Sequence, residues 1–237
     1  MKKLLSLVTL VLSVLFYSCN KQNSGENDAV KTITIDGEFS DWDTLDQTKI
    51  VTAKHNNNSG WEGLVRKIRV YANSQYVFYL IEFNDHLLKT FLKDGDTLPT
   101  RINLNTDGEF TSGYKKYFLD SYDFMFEGEL ADGMGSFTNF DVKLYQNIGG
   151  SWTKPELGTG VLNAVGKDEK IEISLDIAKF NELAAKSSVP MLMGDTFQTG
   201  MTFYDSDWSP VCVLPNAQAS ETEDHGLEHL LNVTVDK

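Results

Sequence analysis

The sequence predicts an all-β fold: a single-domain antiparallel β-sandwich of the jelly-roll type with one short helix. Two observations favour this fold. From residue 32 onward, short alternating or apolar runs are separated by Gly, Asn and Asp, which is the pattern of strands and turns. No composition shift, linker or internal repeat interrupts residues 32–237, and a chain of 237 residues can bury a sizeable core without disulfides or metals.

The body of the chain contains ten segments with the strand pattern. The predicted strands are 32–35, 68–72, 76–83, 100–105, 121–129, 140–146, 170–174, 197–204, 211–214 and 230–235. Residues 176–186 have the helical period instead, because apolar side chains recur on one face from Ile177 to Ala184. Pro190 prevents this helix from extending further.

The start of the chain is predicted to be a targeting segment. Lys2 and Lys3 precede an almost wholly apolar run, and Cys19 then follows a small residue, an order that resembles the lipobox of bacterial lipoproteins. We expect residues 1–18 to be a lipoprotein signal peptide and residues 19–31 a flexible polar tether from lipidated Cys19. This predicts a membrane-anchored lipoprotein outside the cytoplasm, at the outer membrane or cell surface. The alternative is a soluble secreted protein.

The chain is acidic, with 34 Asp and Glu against 21 Lys and Arg and a formal net charge of −13. Removal of residues 1–18 also removes Lys2 and Lys3 and changes the charge to −15. Nucleic acid is therefore excluded as a partner, because phosphate binding depends on clustered Lys and Arg. Cys212 lies in an apolar run and is predicted to be a buried thiol, so no zinc or redox cysteine motif can be built.

Several segments occur in an order that is typical of one family. Residues 33–42 are ITIDGEFSDW, and the segments that follow are 67–85, 101–113, 170–180 and 197–207. Together they resemble the family 9 carbohydrate-binding modules and DOMON-like domains over most of residues 32–235. The resemblance implies an antiparallel β-sandwich in a family whose members often bind calcium and the ends of polysaccharide chains.

The candidate carbohydrate-binding residues are aromatic side chains of turn-rich segments, because flat rings cover the apolar side of a sugar. They are Trp208, Trp152, Trp61 and Tyr114, together with Arg101, which stands where the family has an acidic residue. The two clamp tryptophans of the family have no counterpart, since residues 86–100 and 209–225 contain no Trp. For each loop aromatic, packing at the sandwich edge is the alternative. Trp42 is predicted to plug the sandwich.

Acidic turns supply the oxygen ligands that calcium prefers, so calcium is the cofactor that the sequence suggests. The candidate ligands are Asn105, Asp107 and Glu109 at alternate positions of one loop, with Asp205 and Asp207 contributing from a second loop. The alternative is a solvated turn, which Asp-Gly sequences form readily.

Two motifs indicate catalytic alternatives. Glu127 and Glu129 alternate along a predicted strand, which places both carboxylates on one face, as a retaining glycoside hydrolase requires. Residues 225–229 are HGLEH, an inverted zinc-peptidase motif that needs a helix, but Gly226 and the strand that follows disfavour one.

The sequence therefore predicts a non-catalytic lipoprotein that binds a glycan or glycoconjugate through its β-sandwich. One alternative is a protein-interaction or scaffold lipoprotein of a surface complex, in which the loop aromatics form a contiguous exposed patch. The second alternative is a glycoside hydrolase that uses Glu127 and Glu129.

Overall fold

A computed structural model describes residues 32–55, 63–93, 95–109, 113–131, 133, 136–137, 140, 142–153, 160–187, 189–215 and 228–237. Within these residues, two antiparallel β-sheets pack face to face, which confirms the predicted all-β sandwich. The signal peptide, the tether with Cys19, and Trp61 lie outside the described residues. None of the helices in the described ranges has the length and apolar character needed to span a bilayer.

In the part of the chain that the structure describes, twelve strands make up the two sheets. In chain order they are β1 (Val51–Lys54), β2 (Val65–Ala72), β3 (Tyr76–Phe83), β4 (Pro99–Asn105), β5 (Phe124–Glu129), β6 (Val142–Ile148), β7 (Ser151–Thr153), β8 (Leu162–Lys167), β9 (Lys170–Asp176), β10 (Thr196–Tyr204), β11 (Pro210–Leu214) and β12 (Leu231–Thr234). The smaller sheet has the order β1-β2-β3-β9-β8. The larger sheet has the order β11-β10-β4-β5-β6-β7, and β12 pairs with β10 beside β11.

The core lies between the sheets because alternate strand residues point to opposite faces. On β4, Ile102 and Leu104 belong to the shared core, so Arg101 lies on the outer face of the larger sheet. Tyr79 joins the two layers, since its hydroxyl lies 3.1 Å from the hydroxyl of Thr199. Cys212 on β11 is buried, as predicted.

The helix predicted at 176–186 is confirmed as α3 (Ile177–Ala185), and Asp176 caps it by accepting a hydrogen bond from the backbone N–H of Lys179. The prediction of a single helix was wrong, because α1 (Asp41–Thr44) and α2 (Asp85–Lys93) also form. In α2, Leu88 and Phe91 are buried against the core, so tertiary packing stabilises a segment whose polar residues obscured its periodicity.

The strand prediction was wrong at the start of the domain and at the edges of the sheets. Residues 32–35 are not a strand, although Ile33 is buried there. Three strands were missed: β1, β7 and β8, each of which lies at the edge of a sheet. Edge strands bury fewer side chains and carry more polar residues, so their alternation is weak in the sequence.

Residues 32–50 cover the outer face of the smaller sheet. Trp42 is fully buried there against Tyr71 and Phe78, outside the inter-sheet core, so the prediction that it plugs the sandwich was wrong in its location. Glu172 on β9 holds this cover in place. Its Oε1 accepts hydrogen bonds from the backbone N–H groups of Asp36 (2.8 Å) and Gly37 (2.7 Å).

Candidate functional site

Trp208 lies in a tight turn that follows β10, on the outer side of the larger sheet. Asp205 builds this turn: its Oδ1 accepts hydrogen bonds from the backbone N–H groups of Asp207 (3.0 Å) and Ser209 (2.8 Å). Trp208 has a φ of 62°, a left-handed conformation that bulky residues seldom adopt. Its side chain remains 40% exposed.

Arg101 connects Trp208 to polar groups on the neighbouring strands. Its Nε donates to Oε2 of Glu127 (2.8 Å), the residue opposite it on β5, and its Nη2 lies 2.7 Å from the same oxygen in an ion pair. Its Nη1 donates to the hydroxyl of Tyr204 (2.9 Å), and its guanidinium carbon lies 4.8 Å from the Tyr204 ring centre and 5.4 Å from that of Trp208. Such contacts fix a planar guanidinium beside two aromatic rings.

Tyr204 is the buried part of this group. Its ring centre lies 5.5 Å from that of Trp208. Burial raises the pKa of the Tyr204 phenol well above its ordinary value, although the charge of Arg101 acts in the opposite direction. The hydroxyl therefore stays protonated at neutral pH.

A second aromatic group involves the segment 113–122, which we call the aromatic strap. Tyr114 and Tyr122 close the strap by exchanging backbone hydrogen bonds (2.9 and 3.0 Å). The ring of Tyr114 lies 5.3 Å from that of Trp152 on β7, and the Tyr122 ring lies 6.0 Å from it. The structure thus brings two of the predicted sugar-binding residues, Tyr114 and Trp152, together.

The strap is fixed to the larger sheet by packing and by a buried acid. Phe118 and Leu230 pack onto Gly200, where a Cβ atom would lie only 2.7 and 2.8 Å from their side chains. Asp120 is buried and accepts hydrogen bonds from the backbone N–H of Leu230 (2.9 Å) and from His229 Nδ1 (2.8 Å). Gly200 is therefore required for the close approach of the strap.

The two aromatic groups adjoin at Tyr117 and together form one row. Tyr117 of the strap lies edge-on to Tyr204 (6.3 Å between ring centres) and packs in the same cluster as Trp152. We call this row the aromatic ridge; its members are Trp208, Tyr204, Tyr117, Phe118, Tyr122, Tyr114 and Trp152. Tyr204, Phe118 and Tyr122 are buried; Trp208 is exposed and the other three are partly exposed.

The predicted calcium ligands do not meet. Asn105 pairs with Gln198 and Thr100 pairs with Phe203, so the loop after Asn105 and the turn at Asp205 lie at opposite ends of β4 and β10. Five residues of strand separate them, which is about 17 Å. No group of three or more His, Cys, Asp or Glu side chains in the described residues is arranged to hold a metal ion.

The first loop has an acidic neighbour that the sequence analysis did not identify. Asp123 precedes β5 and is fully buried; its Oδ2 accepts a hydrogen bond from the backbone N–H of Thr106 (3.1 Å), whereas its Oδ1 is buried without a donor. Burial and then the charge of Asp107 raise the pKa of Asp123 to about 6. The antiparallel pairing of β4 with β5 brings these two carboxylates together, because Leu104 lies opposite Phe124.

The catalytic alternatives have the following geometry. Glu127 and Glu129 both lie on β5, and the Glu127 carboxylate is held by Arg101. Glu228 and His229 have no helical conformation and lead directly into β12, so the inverted zinc-peptidase motif lacks its helix there; His225 lies outside the described residues. A glycoside hydrolase that uses Glu127 and Glu129 stays a prediction.

Sequence reasoning identified Trp208, Trp152, Tyr114 and Arg101, but it missed Tyr204 and Tyr117. The alternation of β10 could have placed Tyr204 on the outer face, two residues after Thr202. Tyr117 had no comparable signal, since the strap has no regular period. Comparison of the chain with protein-family models and with curated proteins finds no match.

Proposed function

We propose that this chain is a non-catalytic, membrane-anchored lipoprotein that binds a glycan or glycoconjugate at the Trp208 end of the aromatic ridge. The observation that carries the proposal is the exposed Trp208 ring held beside the fixed guanidinium of Arg101. The ring supplies a flat apolar face, and the partly exposed side chains of Arg101 and Glu127 supply polar groups beside it. Sugar recognition needs this combination.

The anchoring part of the proposal rests on the sequence of residues 1–31, with lipidation at Cys19. The outer membrane or cell surface is the proposed location. Ile33, near the start of the described residues, packs on the outer face of the smaller sheet. A tether from that side leaves the opposite face, with Trp208, accessible.

Affinity gel electrophoresis against a panel of soluble polysaccharides tests glycan binding. We expect retardation of the wild-type protein by at least one polysaccharide, and a loss of roughly tenfold in affinity for Trp208→Ala. Phe39→Ala is the matched control, because Phe39 is also partly exposed beneath a cation, Lys170, but lies on the other side of the molecule. Failure to bind any glycan would overturn the proposal.

The rival function is binding of a protein partner. Leu119 on the strap is 40% exposed and adjoins the ridge, which favours a protein surface. The ridge itself favours a glycan. Of its rings, only that of Trp208 is exposed, so the ridge offers narrow ring surfaces among polar groups rather than a broad apolar surface. A pull-down that recovers a stable partner lost on Leu119→Asp, together with an absence of glycan binding, would establish the rival.

Calcium binding is part of the proposal, with a changed ligand set. Asp107 and Asp123 fit a cation, because Asp123 Oδ1 is a buried carboxylate oxygen without a donor next to a second carboxylate. When bound, calcium would neutralise both and fix the loop after β4. We expect calcium to raise the melting temperature, a chelator to reverse the rise, and Asp123→Asn to abolish it. Asp207→Asn is the control and should respond like the wild type.

A further inference from the structure

The aromatic ridge is longer than one sugar ring requires. Arg101, which contacts Trp208, and Asn147, which pairs with Trp152, mark its two ends on the larger sheet. β4 and β7 are three strand spacings apart in the larger sheet. Across the strands, Arg101 pairs with Glu127 and Glu127 pairs with Lys143, and Asn147 lies four residues beyond Lys143 on β6. The two ends are therefore roughly 20 Å apart.

Both ends have the same chemistry. At one end, Trp208 is backed by buried Tyr204; at the other, Trp152 is backed by buried Tyr122. A further, partly exposed ring stands at each end: Tyr117 beside Tyr204 at the first and Tyr114 beside Trp152 at the second, so each end presents more than one ring.

Polar groups accompany the rings along the ridge. Lys115 is exposed on the strap, and Lys116 Nζ lies 4.9 Å from the centre of the Tyr117 ring. Repeated rings flanked by hydrogen-bonding groups suit a ligand that itself repeats an apolar face and hydroxyl groups. An extended glycan has that character, whereas a protein partner would require a broader exposed apolar area.

We propose that the ridge binds several consecutive sugar units within an extended glycan chain, with one subsite at Trp208 and another at Trp152. This inference rests on the proposed glycan-binding function and adds the length and the path of the ligand. It differs from recognition of a chain end, which would need only one enclosed subsite.

A chain-length series on the wild-type protein tests the inference without any substitution. Isothermal titration calorimetry measures the affinity for oligosaccharides of two, four and six sugars. The sugar type, gluco-, xylo- or manno-, is the one that the polysaccharide panel shows to bind. We expect affinity to rise at least tenfold from two sugars to six. Equal affinity for all lengths would overturn this inference but leave glycan binding intact, whereas no binding at any length or to any polymer would overturn both.

Two variants then locate the subsites. Trp152→Ala should reduce the affinity for six sugars roughly tenfold and leave the affinity for two sugars unchanged, if Trp208 binds the shorter ligand. Trp208→Ala should weaken binding of both, and Phe39→Ala neither. An unchanged affinity of Trp152→Ala for six sugars, in protein whose melting temperature matches the wild type, would overturn the inference.

Discussion

The two outer faces of the sandwich carry the same chemical grouping with opposite outcomes. On the smaller sheet, the Arg69 guanidinium lies 5.6 Å from the Trp42 ring and forms an ion pair with Glu82. On the larger sheet, Arg101 lies 5.4 Å from the Trp208 ring and forms an ion pair with Glu127. Trp42 is completely buried and Trp208 is 40% exposed. A ring, a guanidinium and a carboxylate are therefore no evidence of a site by themselves.

The difference between the faces is their cover. Residues 32–50 enclose Trp42 completely, and Glu172 fixes that cover through two backbone hydrogen bonds. The aromatic strap covers only the middle of the larger sheet, where Phe118 and Tyr122 are buried, and leaves Trp208 exposed at one end. We infer that the first face contributes stability and the second contributes binding.

The largest expected effect is a loss of stability when the covered face is changed. Trp42→Ala should lower the free energy of unfolding by about 3–5 kcal/mol, because it removes a fully buried ring and leaves a cavity. Trp208→Ala should lower it by less than about 1 kcal/mol, since an exposed ring loses little burial. Urea denaturation of both variants measures the contrast. Equal losses would show that the turn at Trp208 is as structural as the cover.

The next effect tests how the strap is held. Gly200→Ala should lower the free energy of unfolding by about 1–3 kcal/mol, because the new methyl group overlaps the side chains of Phe118 and Leu230. Hydrogen exchange should accelerate in residues 113–122 and remain unchanged in residues 32–50. Gly194→Ala is the control, since its Cβ would meet no atom within 4 Å. Faster exchange in both segments would mean that the two covers are coupled.

These contrasts also show what the sequence could predict. Strands with long apolar runs, such as β3 at Tyr76–Phe83, were predicted with correct bounds because they are buried on both faces and are rich in aromatic and β-branched residues. The two covers were not predictable, because neither has a regular period. Trp42 and Trp208 each follow a strand-like segment and are flanked by acidic residues, so only tertiary contacts distinguish them. Asp123 was missed for the same reason.

A smaller effect contrasts the buried acids of the two faces. Burial raises the pKa of both Glu172 and Asp123, and in each case backbone N–H donors oppose the shift while a neighbouring carboxylate adds to it. The charge of Asp107 is the larger influence on Asp123, whereas the backbone donors are the larger influence on Glu172. The folded protein keeps a proton on Asp123 up to pH of about 6, while the unfolded chain loses it near its ordinary value of 3.8. Stability should therefore fall as pH rises through this window.

Denaturation across that pH range, with chelator present, measures the contribution. We expect Asp123 to account for roughly 1–2 kcal/mol of the decline, and Asp123→Asn to remove that part. Calcium should also remove it, because a bound cation compensates both carboxylates. A pH profile of Asp123→Asn identical to that of the wild type would assign the decline to other groups, including Glu172.

The smallest effects come from exchanging each arginine for lysine, which keeps the charge but not the planar fork that two acceptors share. Arg101→Lys should weaken glycan binding several-fold with little change in stability, because Glu127 and Tyr204 lose a fixed donor beside Trp208. Arg69→Lys should cost under about 1 kcal/mol of stability and leave binding unchanged, since its ring partner is covered. Titration calorimetry and urea denaturation of the two variants separate these outcomes. If Arg69→Lys weakened binding, the two faces would communicate through the core, and cover alone would not explain why one tryptophan is structural and the other available to a ligand.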